Sequence, residues 1–158
     1  MRVIICANEE SVAKEAYKLV RDRIVNQRAK VLGLPTGSSP IKLYAEMVAG
    51  FKRSEIDFSD VHTFNLDEYL GLPVEHEQSY RNFMNQQLFK HVNLKPENIN
   101  FLDGMTDDLE GECASYEAKM EELGGIKLQI LGIGRDGHIG FNEPGTPLNS
   151  RTSYVTLA

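Results

Sequence analysis

The sequence predicts an α/β fold, a doubly wound and mostly parallel sheet with helices on both faces. Three observations carry this. Strand-like and helix-like stretches alternate four or five times along the 158 residues, the pattern of successive βαβ units. The strand-like stretches, AKVLGLP and IKLQILGIG among them, are near-continuous in apolar residues instead of alternating, as strands covered on both sides are. No repeat, low-complexity run or linker divides them, so one domain over residues 1–158 is expected. Together these describe a Rossmann-like, three-layer sandwich.

Taken in order, Val3 to Ala7 reads as a short buried strand. SVAKEAYKLVRDRIVNQ follows as a helix, with Ser11 placed to cap it and Val12, Ala16, Leu19, Val20 and Ile24 spaced to share its apolar face. AKVLGLP is a second strand stopped by Pro35, and TGSSP is a tight turn. Pro40 suits the first turn of the next helix, which IKLYAEMVAG carries to a C-terminal Gly50. VHTFNL is a third strand, ending in DEYLGLP. SYRNFMNQQLFKHV reads as a helix, INFL as a short strand, and DDLEGECASYEAKMEELGG as a helix closed by Gly124 and Gly125. IKLQILGIG is the last complete strand. TSYVTLA starts another with no helix after it, so the C-terminal part of such a fold is expected to be missing.

The bulk numbers exclude several classes. A net charge of −6 argues against non-specific nucleic-acid binding, which needs Lys and Arg to neutralise phosphates. The first ten residues form too short an apolar run for a signal peptide or a membrane span, so a cytoplasmic protein is expected. Two widely separated cysteines, Cys6 and Cys113, read as reduced, buried thiols.

Open parallel sheets bind ligands beyond the carboxyl ends of their strands, and three polar loops fall at such ends. In GLPTGSSP, the free amides at a helix start and the hydroxyls of Thr36, Ser38 and Ser39 suit an anion; an ordinary capped turn reads the same way. In FNLDEYLGLP, Asp67 lies among apolar neighbours that would raise its pKa towards the range of a general base, although acidic residues also simply solvate strand ends. LGIGRDGHIGFNEPG crowds Asp136, His138 and Glu143 among five glycines and a proline. A histidine held by a carboxylate at one ring nitrogen is poised for proton transfer near neutrality. A metal site is the rival chemistry, but no second nearby histidine completes a typical ligand set. A hydrogen-bonded loop histidine is the bland reading. His62, His76 and His91 read as structural or surface groups.

GLPTGSSP, TFNLDEYLGL, the SY at 79–80, and GIGRDGHIGFNEPG followed by SRT, in this order, resemble the glucosamine-6-phosphate deaminase family along the whole chain. The relatives that hydrolyse 6-phosphogluconolactone share the anion loop and a DGH loop, but are not expected to carry FNLDEY or FNEP. The resemblance implies conversion of glucosamine 6-phosphate and water to fructose 6-phosphate and ammonia, with no metal and no organic cofactor. Thr36, Gly37, Ser38 and Ser39 would bind the phosphate. His138 would open the sugar ring, with Asp136 and Glu143 setting its tautomer and steadying its charge. Asp67 would move the C2 proton to C1, and Glu68 would be structural. The partner implied is a small amino-sugar phosphate, with no nucleic acid and no membrane, and a homo-oligomer left open. Relatives under allosteric control carry basic residues just after SRT; Ser153 and Val155 stand there, which argues against such control. The family continues through further basic residues for the phosphate, so a chain ending at Ala158 would be a weak catalyst or none. A lactonase or a non-catalytic sugar-phosphate sensor is the alternative.

Overall fold

The computed structural model describes residues 1–157. Helix α1 (Glu9–Val25) leads into strand β1 (Val31–Leu34), helix α2 (Ile41–Lys52) and strand β2 (His62–Asn65). Helix α3 (Tyr80–Gln87) and two short 3₁₀ turns precede strand β3 (Ile99–Asn100), helix α4 (Leu109–Glu122) and strand β4 (Leu128–Gln129). The four strands are all parallel, in the order β3-β2-β1-β4. The chain therefore steps outward from β1 to β3 and then crosses back to set β4 against the other side of β1. The crevice at that reversal, above the carboxyl ends of β1 and β4, is where open parallel sheets take ligands.

Alternation along the strands sends side chains into two cores. Leu32 and Leu34 join α1, α2, α3 and the first 3₁₀ turn in the larger, with Tyr44, Met47, Phe58 and Met84 fully buried. Val31 and Phe64 face the other way, onto Tyr116 of α4, whose ring meets Phe64 edge-on at 5.3 Å. Helices on both faces of a parallel sheet are the layering expected from the sequence.

Several boundaries differ. Helix α1 is capped by Asn8, whose side chain accepts from the Ser11 amide at 2.9 Å, so Ser11 lies inside the first turn. Its buried stripe is Ala13, Tyr17, Val20 and Ile24, while Val12 and Leu19 face solvent. Helix α2 runs past Gly50 to Lys52. Gly50 is an interior contact: a Cβ there would lie 1.8 Å from the Tyr17 hydroxyl, so the missing side chain lets α1 and α2 close together. Strand β4 is only two residues long, because only Leu128 and Gln129 pair with β1 before the chain turns into the glycine-rich loop.

Two expected strands do not form. Val3 to Ala7 is unpaired, with Val3 and Ile5 exposed, and joins neither β3 nor β4 at the outer edges of the sheet. Thr152 to Leu157 of TSYVTLA are irregular; Ala158 lies outside the described residues. The segment is tied to α4 by Glu117, which accepts from the Thr152 amide and hydroxyl at 2.8 and 2.7 Å and from Arg151 at 2.9 Å, not by a ladder. Both cysteines are free and half-buried, less enclosed than expected.

Candidate active site

The site is assembled from the loops that follow β1, β2 and β4. At the first, buried side chains hold the strand ends rigid. Asn65 donates its side-chain amide to the Leu34 carbonyl at 3.1 Å, the Tyr44 hydroxyl donates to the Pro35 carbonyl, and the Tyr116 hydroxyl donates to the Asn65 carbonyl at 2.7 Å. From this base, Thr36 to Ser39 turn into α2, with Gly37 at φ +92, a conformation that favours glycine. Free amides at a helix start, with the helix dipole behind them, suit an anion. Lys42, in the first turn of α2, is engaged elsewhere, on Glu9 and Glu10 at 2.7 and 2.6 Å.

Asp67 lies two residues beyond the end of β2. Its Oδ2 accepts the Phe141 amide at 2.9 Å, across 74 residues of sequence. Burial pushes its pKa up to about 6, against a smaller lowering by that amide, and the Glu68 charge adds to the rise. Gly140, at φ +58, makes the approach possible: a Cβ on it would lie 2.6 Å from Asp67 Oδ2.

In the third loop, His138 Nδ1 lies 2.7 Å from Asp136 Oδ1, which also accepts the His138 amide at 3.2 Å. That amide, then the ring, lowers the Asp136 pKa. A ring whose Nδ1 faces a carboxylate carries its proton there when neutral and leaves Nε2 free to take one. Gly134 lies beneath the imidazole, where a Cβ would meet ring Cε1 at 2.2 Å.

A cavity of about 390 Å³ is lined by Thr36, Gly37, Ser39, Asp67, His138 and Glu143 among others. Six of the eight residues singled out from the sequence thus share one space. Asp136 stands outside the lining and reaches it through His138. Ser38 faces a neighbouring cavity instead, with Ser39 and Lys42. Glu143 enters the shared cavity, but its side chain forms no hydrogen bond with His138; among the described residues only Asp136 holds that ring. Glu68 behaves as expected of a structural group, its carboxylate spent on backbone amides and the Ser79 hydroxyl. No group of three or more His, Cys, Asp or Glu among the described residues is arranged to hold a metal ion.

Sequence reasoning assigned no role to Tyr80 and Phe141. Both line the cavity; their rings pack with Tyr69 at centroid separations of 4.8 and 5.1 Å and with each other at 5.6 Å. Phe141 acts through its backbone amide, which no side-chain pattern announces. For Tyr80 the one available signal is its place in the SY pair at 79–80.

Residues 7–157 match the family model described as glucosamine-6-phosphate isomerases/6-phosphogluconolactonase. Over 157 residues the chain is 50% identical to the glucosamine-6-phosphate deaminase of Thermoanaerobacter sp. (strain X514) and 48% identical to that of Clostridioides difficile (strain 630). It is covered to 99% in both cases, and it spans 62% and 63% of those proteins' lengths. A solved monomeric glucosamine-6-phosphate deaminase superposes with a TM-score of 0.96 at 41% identity, over 100% of this chain and 66% of its own. A 6-phosphogluconolactonase from Thermotoga maritima shares the fold at a TM-score of 0.71 and 21% identity, over 88% of this chain and 62% of its own. The chain belongs to the family of glucosamine-6-phosphate isomerases and 6-phosphogluconolactonases.

Proposed function

We propose that the polypeptide carrying this chain converts glucosamine 6-phosphate and water to fructose 6-phosphate and ammonia, through a single sugar-phosphate isomerase/deaminase domain. The observation that carries the reading is the common cavity of Asp67 and His138 with the Thr36–Gly37 turn. An acid near pH 6, an imidazole and an anion site are the groups this reaction needs. The deaminase relatives at 48–50% identity support it over lactone hydrolysis, for which the likeness is one of fold.

The phosphate docks on the amides of Thr36 to Ser39 and on their hydroxyls. His138, held at Nδ1 by Asp136, moves a proton between the anomeric hydroxyl and the ring oxygen, so the C1–O5 bond breaks and the open aldehyde forms. Glu143, across the same cavity, steadies the imidazolium. Asp67 takes the proton from C2, α to the carbonyl, as carboxylates do in aldose–ketose isomerases. Returning it to C1, while a proton passes from the amino group to O1, makes C1 a CH2OH and leaves an imine at C2. Water adds there, and ammonia departs as the ketone forms. No external oxidant or organic cofactor enters this balance. The substrate is a small phosphorylated amino sugar in the cytoplasm, and neither nucleic acid nor membrane takes part.

The test is ammonia release from glucosamine 6-phosphate by the native polypeptide, with fructose 6-phosphate formed in equal amount. Hydrolysis of 6-phosphogluconolactone without ammonia release would replace this reading with the lactonase. Binding of the amino sugar without turnover would replace it with a sensor.

A further inference from the structure

The Glu68 carboxylate is saturated. Its Oε1 accepts the amides of Tyr69 and Tyr80, both at 2.9 Å, and its Oε2 accepts the Arg81 amide at 2.9 Å and the Ser79 hydroxyl at 3.0 Å. Three of these four donors belong to the start of α3, where the amides of a helix's first turn have no partner within the helix. One carboxylate therefore joins the loop after β2 to a helix whose capping residue, Ser79, lies eleven positions further on. The junction bears on the cavity through aromatic contacts. Tyr80 packs on Tyr69 at 4.8 Å and on Phe141 at 5.6 Å, and Tyr69 meets Phe141 at 5.1 Å. Phe141, in turn, gives its amide to Asp67. The contacts close a ring, from Glu68 to the α3 start, to Tyr80, to Phe141, to Asp67, and back to Glu68 through one peptide bond.

We propose that Glu68 is a positioning residue: by anchoring the start of α3 it seats the Tyr69–Tyr80–Phe141 cluster, and so aims the Asp67 carboxyl over the cavity. The proposal rests on the deaminase reading for its kinetic consequence, but its structural consequence stands apart from any reaction. A carboxylate that accepts four hydrogen bonds tolerates no donor in its place. Glu68→Gln keeps Oε1 for Tyr69 and Tyr80 but sets an amide N–H against that of Arg81, so the α3 start must shift. Glu68→Asp keeps both acceptor oxygens on a shorter arm. Displacements of about 1 Å in a reacting group cost on the order of a hundredfold in rate, and losing a supporting contact around a site costs roughly ten- to a hundredfold.

The experiment compares the native polypeptide with Glu68→Gln, Glu68→Asp and Ser79→Ala, each assayed well below its melting temperature. Two quantities are read: kcat and KM for ammonia release, and the hydrogen-exchange rate of the Phe141 amide. In Glu68→Gln, kcat is expected to fall by roughly ten- to a hundredfold, and KM to rise less than kcat falls, because the anion turn is built on β1 and α2 and meets the shifted cluster only where Tyr80 borders Thr36 in the cavity. Phe141 amide exchange is expected to quicken by about the same factor, as its acceptor drifts. Glu68→Asp should recover part of both, and Ser79→Ala, which removes one bond of the four, should show the same direction in smaller measure if Glu68→Gln does not fold. A lower melting temperature with unchanged kcat and unchanged Phe141 exchange would overturn the proposal, leaving Glu68 as a fold residue only. If the native polypeptide releases no ammonia, the functional reading falls. Phe141 exchange then decides the positioning role alone: quickened in the variants it stands, unchanged it falls.

Discussion

At the scale of single residues, the proposed chemistry rests on one carboxyl kept out of water. Asp67 has its pKa raised by burial to about 6, above the usual carboxylate range. In the proposed reaction its ionised form is the base, filled only above that pH, so kcat/KM is expected to fall as pH drops through about 6. The same displacement acts on stability. Between the unfolded value of 3.8 and about 6 the folded chain holds a proton that the unfolded chain has released, so stability declines as pH rises through that window. The total is at most roughly 3 kcal/mol at pH 7, since each tenfold change in a proton equilibrium is worth about 1.4 kcal/mol. Asp67→Asn keeps the acceptor for the Phe141 amide and removes the charge. It should melt several degrees higher than the native protein at pH 7, with the gain gone below about pH 4, while exchange of the substrate C2 hydrogen with solvent disappears. Thermal melts across pH and a deuterium-exchange assay check both halves; undiminished exchange would remove Asp67 as the base. His138 is tested differently. His138→Gln should lose more, by a factor of order 10² or greater, on the closed-ring sugar than on an open-chain analogue that needs no ring opening. Equal losses on both would count against a ring-opening role.

At the scale of elements, the loop after β4 works because glycine stands where other backbones cannot. Gly140 occupies a left-handed conformation at the spot where the loop presses on Asp67. Gly140→Ala should cost about 1–3 kcal/mol of stability from strain alone, and turnover should drop by roughly ten- to a hundredfold as Asp67 is pushed aside. Gly125→Ala, at φ +78 beyond the end of α4 with open space around it, is the control. It should lose comparable stability and keep its turnover per folded molecule, measured by active-site-normalised rates. The same element scale separates what the sequence pattern could and could not show. Helix α4 could be read to within two residues because Asp108 caps it and Gly124 and Gly125 turn out of the helix at its end, both local events. The Val3–Ala7 strand could not, because an apolar run becomes a strand only beside a partner, and its partner is a property of the sheet. Ser11 and Asn8 are both competent caps, and packing of the Ala13–Tyr17–Val20–Ile24 stripe chose the turn at which α1 begins.

At the scale of the whole molecule, a chain of net charge −6 is read as taking up a phosphorylated substrate. The field of these 158 residues opposes approach, and in the proposed reading the attraction they offer comes from amide dipoles at the start of α2, which act only at short range. The KM for the sugar phosphate is therefore expected to hold level or fall as ionic strength rises to physiological, where exposed charges are screened beyond about 8 Å. A KM that climbs steeply with salt would instead point to a cluster of free cations steering the substrate. Lys42, tied to two glutamates at the start of α1, is not positioned as such a cation.

By itself the sequence determined the layer architecture, the succession of helices and strands from α1 to β4, and the three polar loops at strand ends, while the two outermost expected strands did not form. Each of these is written in local periodicity, in Gly and Pro placement, and in short polar motifs at strand ends. Only the tertiary structure decided that β4 crosses back beside β1, which brings a loop near residue 138 over one near residue 67 and sets an anion turn on the same cavity. It also decided that a backbone amide of Phe141 grips Asp67. These depend on contacts between residues up to 74 apart. Such contacts follow from closing the sheet, and no stretch of sequence short enough to show a pattern contains both ends of them.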